Sequence, residues 1–90
     1  MTRILVNIAL AEGAVDKIRS NPELPKKEME FVNQWKQEGI LENFFVTDTK
    51  SGAVLIFQNI TEIKAKELIE ILPYFPFMSK IDYLTLDKHF

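Results

Sequence analysis

The sequence predicts an α+β fold of four strands and two helices in the order β-α-β-β-α-β. Three observations indicate this order: period-two alternation of apolar residues near the N-terminus, two stretches with helical apolar spacing, and a polar loop between two β-rich runs. We expect one domain over residues 1–90, because a chain of 90 residues with 47% hydrophobic content suits one globular core.

The first predicted strand alternates between apolar and more polar positions over residues 3–10. Residues 11–25 lose this pattern, and a short helical turn is expected there only at Val15–Arg19. Alternation of period two places every second side chain on the same face of a strand. The apolar face of this strand consists of Ile4, Val6, Ile8 and Leu10.

The first predicted helix covers Lys26–Glu38, with Pro25 in its first turn and Gly39 as the residue that ends it. A polar loop at residues 48–52 then separates two runs rich in β-branched and aromatic residues, Ile40–Thr47 and Ala53–Asn59. Such a pair predicts a β-hairpin. The apolar stripe of the helix is expected at Met29, Phe31, Val32 and Trp35.

The second predicted helix has two candidate N-caps, Asn59 and Thr61, and runs to about Leu72. The segment Leu72–Met78 follows, where two prolines and three aromatic residues predict a rigid bend. Lys80–Leu86 is the last predicted strand. The helical apolar spacing is carried by Ala65, Leu68, Ile69 and Leu72.

Two βαβ crossovers of this kind interleave into a ferredoxin-like arrangement, a four-stranded antiparallel sheet with both helices on one face. The other sheet face then remains apolar and open, and an apolar surface of that extent is typical of an interface. We therefore expect a homodimer packed through the sheet face. The residues expected on this face are Leu5, Leu41, Phe45, Val54, Ile56 and Tyr83.

Composition excludes several classes of function. The net charge is −2, from eleven basic and thirteen acidic residues that are interspersed, so we expect neither nucleic-acid nor membrane binding. The chain has no cysteine, which fits a cytoplasmic protein, and no membrane-spanning or signal segment is expected. With His89 as its single histidine and no glycine-rich phosphate loop, we expect no metal and no cofactor.

The carboxylate of most interest in the sequence is Glu38, at the end of the first helix beside the next strand. Burial between helices and sheet would raise its pKa toward that of a general base, whereas the alternative is a solvated helix end. Glu42 and Asp82, both on predicted strands, are weaker candidates. His89 either reaches a cleft between subunits or belongs to a solvated tail.

Aromatic side chains have two interpretations as well. Trp35 either lines a ligand cavity or belongs to the core of its helix. Tyr74, Phe75 and Phe77 in the bend either cap a pocket or serve as a loop plug or an oligomer contact. The candidate substrate-binding residues are Trp35, Phe44, Tyr74 and Phe77.

The chain resembles the muconolactone isomerase-like family of the dimeric α/β-barrel superfamily. The resemblance is carried by Trp35–Gly39, Gly52–Phe57, Leu72–Met78 and Ile81–Leu86, of which the proline-aromatic bend is the most specific. It implies a dimeric α/β barrel that can assemble into a higher homo-oligomer. It also implies cofactor-free isomerisation by proton transfer, with Glu38, in the Glu-Gly pair of the family, as the catalytic base.

One departure from the family concerns the strand after Gly39, where residues 40–45 contain no cation to bind a substrate carboxylate. The leading hypothesis is therefore a small oligomeric isomerase-like domain that binds a small apolar or weakly polar molecule. The alternatives are a non-catalytic ligand-binding or assembly module, and a cofactor-free monooxygenase-like protein.

Overall fold

The computed structural model describes residues 1–90, and its elements follow the predicted order with one short helix in addition. That helix, α1, follows the first strand and covers the segment where only a helical turn was expected. The elements are β1 (Thr2–Leu10), α1 (Ala14–Arg19), α2 (Glu23–Gln37), β2 (Leu41–Val46), β3 (Gly52–Gln58), α3 (Glu62–Glu70) and β4 (Met78–Asp87), with a 3-10 turn at Phe75–Phe77.

The four strands form one antiparallel sheet in the order β2-β3-β1-β4. Strand β1 lies inside the sheet, where Val6 is opposite Leu55 of β3 and Tyr83 of β4. This strand order, with the helices on one face, is the ferredoxin-like fold and confirms the predicted fold class. None of the helices is long and apolar enough to cross a membrane.

The core lies between the sheet and helices α2 and α3. Trp35 of α2 is buried there, and its ring centroid is 5.6 Å from that of Phe57 in β3, with the planes inclined at 61°. Such an edge-to-face arrangement is favourable for aromatic pairs. The buried residues of the core are Ile4, Val6, Ile8, Val32, Trp35, Leu41, Leu55, Phe57, Ala65, Leu68, Ile69 and Leu72.

Helix α2 begins at Glu23, three residues before the predicted start. Pro22 is its N-cap, and Pro25 falls within the first turn, where a missing N–H costs no helical hydrogen bond. At the start of α3, the hydroxyl of Thr61 accepts a hydrogen bond from the backbone N–H of Lys64 over 3.1 Å. Thr61, and not Asn59, is therefore the N-cap of α3.

The open face of the sheet differs from the prediction at two positions. Leu41 and Tyr83 lie on the helix side, because Leu41 is opposite Phe57 and Tyr83 is opposite Val6, and directly opposed residues share a face. A register shift between Leu41 and Asn43 changes the alternation in β2. The apolar residues of the open face are Leu5, Phe45, Val54, Ile56, Leu84 and Leu86.

An ion pair crosses this open face. The guanidinium of Arg3 donates to both carboxylate oxygens of Glu42, over 2.8 Å and 3.1 Å, and Lys88 lies 3.4 Å from the same carboxylate. The hydrogen bonds from Arg3 hold the pKa of Glu42 below its ordinary value. Glu42 is thus engaged in a structural pair outside the helix side of the sheet.

Candidate functional site

A cavity of about 310 Å³ lies between the sheet and helices α1 and α2. This volume is at the lower end of the range of ~300–1,000 Å³ that is typical of small-molecule sites. Thirteen of its 18 lining residues are hydrophobic, so a bound molecule would be mainly apolar. Representative apolar lining residues are Ile8, Val15, Val32, Phe44, Leu55 and Met78.

Two backbone hydrogen bonds beside this cavity join the end of β1 to two loops. The N–H of Leu10 donates to the carbonyl of Ser51 in the β2–β3 hairpin over 2.8 Å. The N–H of Ala11 donates to the carbonyl of Phe77 in the proline-aromatic bend over 2.7 Å. The hairpin turn and the bend are therefore fixed beside the cavity by main-chain contacts.

Glu28 is the one carboxylate in the lining of the cavity. Its side chain is 8% exposed, and its Oε1 accepts a hydrogen bond from the backbone N–H of Tyr74 over 3.0 Å. The other oxygen, Oε2, has no partner in the protein and keeps some access to solvent. One oxygen thus holds the group in place, and the other has no hydrogen-bond partner in the protein.

Burial changes the acidity of Glu28. Loss of water around the carboxylate raises its pKa to about 7, although the hydrogen bond from Tyr74 favours the charged form and limits the rise. A carboxyl with this pKa is partly ionised at neutral pH. It can therefore accept a proton and later return it, as a general base requires.

The position of Glu28 on α2 explains its burial. Glu28, Val32 and Trp35 follow the i, i+4, i+7 spacing and form the buried face of the helix, while Met29, expected in that stripe, is 40% exposed. Glu28 is not among the site residues predicted from the sequence. The signal available was an acidic residue in phase with the apolar stripe through Val32 and Trp35, in a helix that starts before residue 26.

Tyr74 is the second polar side chain of interest in the lining. Burial, and then the nearby charge of Glu28, raise the pKa of its phenol, which is therefore protonated at neutral pH. Its hydroxyl has no hydrogen-bond partner within the protein. The phenol is thus free to donate a hydrogen bond to a bound molecule.

The structure brings some of the predicted site residues together and separates others. Phe44 and Tyr74 line the cavity. Trp35 lies in the core, and Phe77 is half-buried in the bend without being part of the cavity lining. Glu38 is exposed at the end of α2 and does not line the cavity, which holds Glu28 instead.

The remaining titratable residues considered in the sequence lie away from the cavity. Asp82 is exposed on β4, with its carboxylate 3.8 Å from the ammonium group of Lys80. His89 is exposed in the tail, 3.5 Å from the carboxylate of Asp87. No three His, Asp or Glu side chains lie close enough together to hold a metal ion. Glu28 and Tyr74 are therefore the groups of the cavity lining whose pKa the fold shifts.

No protein-family model matches the sequence, and no curated protein matches it. Among solved structures, the chain is similar to 5-chloro-2-hydroxyhydroquinone dehydrochlorinase (TftG) from Burkholderia phenoliruptrix AC1100, solved as a complex with 2,5-dihydroxybenzoquinone. The TM-score is 0.77 over 94% of this chain and 93% of that one, at 12% sequence identity. At this identity the likeness shows the fold alone, and that fold is the ferredoxin-like one described above.

Proposed function

We propose that this protein catalyses cofactor-free proton transfer on a small, mainly apolar molecule, with Glu28 as the general base. The observation that carries the proposal is a buried carboxyl in an apolar cavity, with one oxygen fixed by Tyr74 and a pKa of about 7. The catalytic value of a general base is greatest when its pKa is near the working pH.

The proposed reaction is an isomerisation through an enolate. Oε2 of Glu28 takes a proton from a carbon next to a carbonyl group, and the electron pair of the broken C–H bond moves onto the carbonyl oxygen. The phenol of Tyr74 donates a hydrogen bond to that oxygen as its charge develops. Glu28, now protonated, returns the proton to a different carbon of the conjugated system, so no atoms or electrons are gained or lost.

The proposed base is thus Glu28 and not Glu38, which follows it by ten residues and is the C-cap of α2. A base must come within hydrogen-bond distance of the proton that it removes. Glu38 is exposed and outside the cavity lining, whereas Glu28 belongs to the lining and has one oxygen without a protein partner. The geometry therefore favours Glu28 over the residue that the family resemblance implies.

The experiment that tests the proposal is deuterium exchange followed by NMR. Lactones, enols and hydroxylated quinones are incubated with the protein in D₂O, and incorporation of deuterium next to the carbonyl group is measured. Hydroxylated quinones are included because the structural neighbour was solved with one. This assay detects abstraction of a proton from carbon even where no net product accumulates.

Three variants separate the roles of the residues. We expect Glu28→Gln to reduce the exchange rate by about 10²–10⁴-fold, the typical contribution of a general base. Tyr74→Phe keeps the backbone N–H that binds Glu28, and we expect a loss of about 10²-fold from the missing oxyanion donor. Glu38→Gln is the matched control and should exchange like wild type. Compounds that bind to wild type but exchange no faster than without protein would instead support a ligand-binding module.

We further propose that the open face of the sheet pairs with a second copy of this chain. The face exposes large apolar side chains, with Phe45 at 55%, Leu84 at 54% and Leu86 at 39% exposure. Monomeric proteins seldom expose a contiguous apolar surface of this kind. Because the cavity lies on the other side of the sheet, pairing through this face leaves the cavity lining within each chain.

A further inference from the structure

A second cavity, of about 350 Å³, lies between helix α2 and strand β2, at the edge of the sheet. We call it the edge cavity, and we call the cavity that contains Glu28 the Glu28 cavity. Four of the eight residues that line the edge cavity are hydrophobic, and the others are polar or charged. The chain therefore has a partly apolar cavity beside β2 that the proposed reaction does not use.

The two cavities adjoin, because three residues belong to the lining of both. These residues are Met29 and Val32 of α2 and Phe44 of β2. The direct route from one cavity to the other therefore passes these three side chains. Whichever of them can be displaced or removed determines whether a bound molecule can extend beyond the Glu28 cavity.

Helix α2 directs neighbouring residues toward different cavities. Glu28 lines only the Glu28 cavity, whereas Asn33 and Lys36 line only the edge cavity. Met29, Asn33 and Lys36 follow the i, i+4, i+7 spacing and share one face of the helix. Met29 also follows Glu28 directly, and successive residues are rotated by about 100° around a helix axis. Met29 thus lies at the boundary between the two faces of α2, next to the proposed base.

Met29 is the one shared residue that the core does not hold in place. Val32 is 5% exposed and belongs to the core, and Phe44 packs against the core. Met29 is 40% exposed and lies outside both the core and the residues packed against it. Its side chain is unbranched and flexible, and such a side chain fills irregular space between packed groups. The boundary between the two cavities can therefore be opened at Met29 with the core left intact.

We infer that Met29 is a specificity-determining residue, which closes the Glu28 cavity toward the edge cavity and so limits the length of the molecules that bind beside Glu28. The inference rests on the proposed function in that the bound molecule is an apolar carbonyl compound. It adds that this compound has a short apolar substituent, which ends at Met29. Without the side chain of Met29, a longer substituent would extend past Phe44 into the edge cavity.

Binding of straight-chain phenyl ketones, from acetophenone to octanophenone, tests this inference. These neutral molecules share one carbonyl-bearing head and differ in length, and NMR titration of the full chain measures their dissociation constants. Each buried methylene adds about fourfold in affinity. We expect the gain from acetophenone to octanophenone to be about tenfold larger in Met29→Ala than in wild type. The side-chain amides of Asn33 and Asn43, which line only the edge cavity, should shift in Met29→Ala with octanophenone but not with acetophenone.

The choice of variants separates the length limit from general effects on the fold. Alanine is the best helix former, so Met29→Ala preserves α2. Met29→Leu keeps a side chain of similar volume and should retain the wild-type dependence on length. Ile63→Ala, at an exposed apolar position of α3 outside both linings, is the matched control and should do the same. Equal gains in wild type and Met29→Ala, an equal change in Ile63→Ala, or failure of the whole series to bind would each overturn the inference.

Glu28→Gln separates this inference from the proposed function. The variant removes the base but keeps the size of the side chain, so it should lose deuterium exchange and retain the wild-type dependence on ketone length. Exchange that persists in Glu28→Gln would contradict the proposed base and leave the role of Met29 supported by the ketone series. Conversely, the same dependence on length in wild type and Met29→Ala, with exchange lost in Glu28→Gln, would contradict the role of Met29 alone.

Discussion

The backbone N–H of Tyr74 donates a hydrogen bond to Oε1 of Glu28 over 3.0 Å, between residues 46 positions apart. This bond connects helix α2 to the proline-aromatic bend and orients the one carboxylate of the cavity. A charged acceptor strengthens such a bond, so the ionisation state of Glu28 also determines how firmly the bend is held.

The first prediction concerns the titration of Glu28. Because Tyr74 donates to its carboxylate, the side-chain carbon of Glu28 and the amide of Tyr74 should titrate together, with a midpoint at about pH 7. NMR spectra recorded across this range measure both signals. The amide of Lys64, which donates to the hydroxyl of Thr61, is the internal control and should not follow this titration. A Tyr74 amide that is insensitive to pH would contradict the bond.

The second prediction concerns stability and pH. The pKa of Glu28 rises from an ordinary value of 4.5 to about 7 on folding, so between these values the folded chain binds a proton that the unfolded chain has released. The contribution of Glu28 to stability is thus fully present below about pH 4.5 and falls as the pH rises to about 7. The loss is on the order of 3 kcal/mol in the free energy of unfolding.

Glu28→Gln tests this dependence, because glutamine is neutral and its side-chain oxygen can still accept from Tyr74. Urea unfolding should show the variant to be more stable than wild type above neutral pH, by roughly 1–3 kcal/mol, and the difference should shrink in acid. Glu38→Gln, which changes an exposed carboxylate on the same helix, should follow the wild-type curve. Parallel pH profiles for wild type and Glu28→Gln would show that the buried carboxyl does not titrate as proposed.

The third prediction concerns Gly52, where β1 and β3 approach closely. A Cβ atom at this position would lie 2.5 Å from the carbonyl oxygen of Ile8, so Gly52→Ala requires the backbone to move. We expect a loss of roughly 2–3 kcal/mol in the free energy of unfolding. Gly39→Ala is the control, since its Cβ would meet open space and the cost of ~1 kcal/mol comes from the positive φ alone. A smaller loss of unfolding free energy in Gly52→Ala than in Gly39→Ala would contradict the close approach of the two strands.

The fourth prediction concerns the open face of the sheet. Leu84 is 54% exposed and lies opposite Leu5 on the open face, which we propose pairs with a second copy of the chain. Analytical ultracentrifugation should find wild type to be at least a dimer, and Leu84→Lys should shift it toward the monomer. Ile63→Lys, at an exposed apolar position on α3, should assemble like wild type. A wild-type protein that is monomeric would contradict the proposed dimer.

The fold could be predicted from the sequence because its signals are local. The alternation through Ile4, Val6 and Ile8 and the helical spacing in α3 depend only on which neighbours share a face, and the structure confirms both. Local sequence determines less well which face of the sheet each side chain of an edge strand occupies. Tyr83 and Leu41 were assigned to the wrong face because strand pairing and a register shift, which involve distant residues, determine their direction.

The candidate site was harder to predict for a similar reason. Whether a carboxylate is buried depends on which surfaces cover it, and Glu28 is covered by the bend at Tyr74, far along the chain. Apolar residues define a helical stripe, so their spacing alone does not show that a charged residue in phase with them is buried.

Alternate residues of strands β1 and β3 face opposite sides of the sheet. Ile8 and Leu55 face the cavity, while Leu5 and Ile56 face the open side. Under the proposed function, a substitution at a cavity-facing position would change which molecules fit, and a substitution at a position on the open face would change how chains associate. Substitutions confined to the cavity side would then change the range of bound molecules and leave the open face as it is.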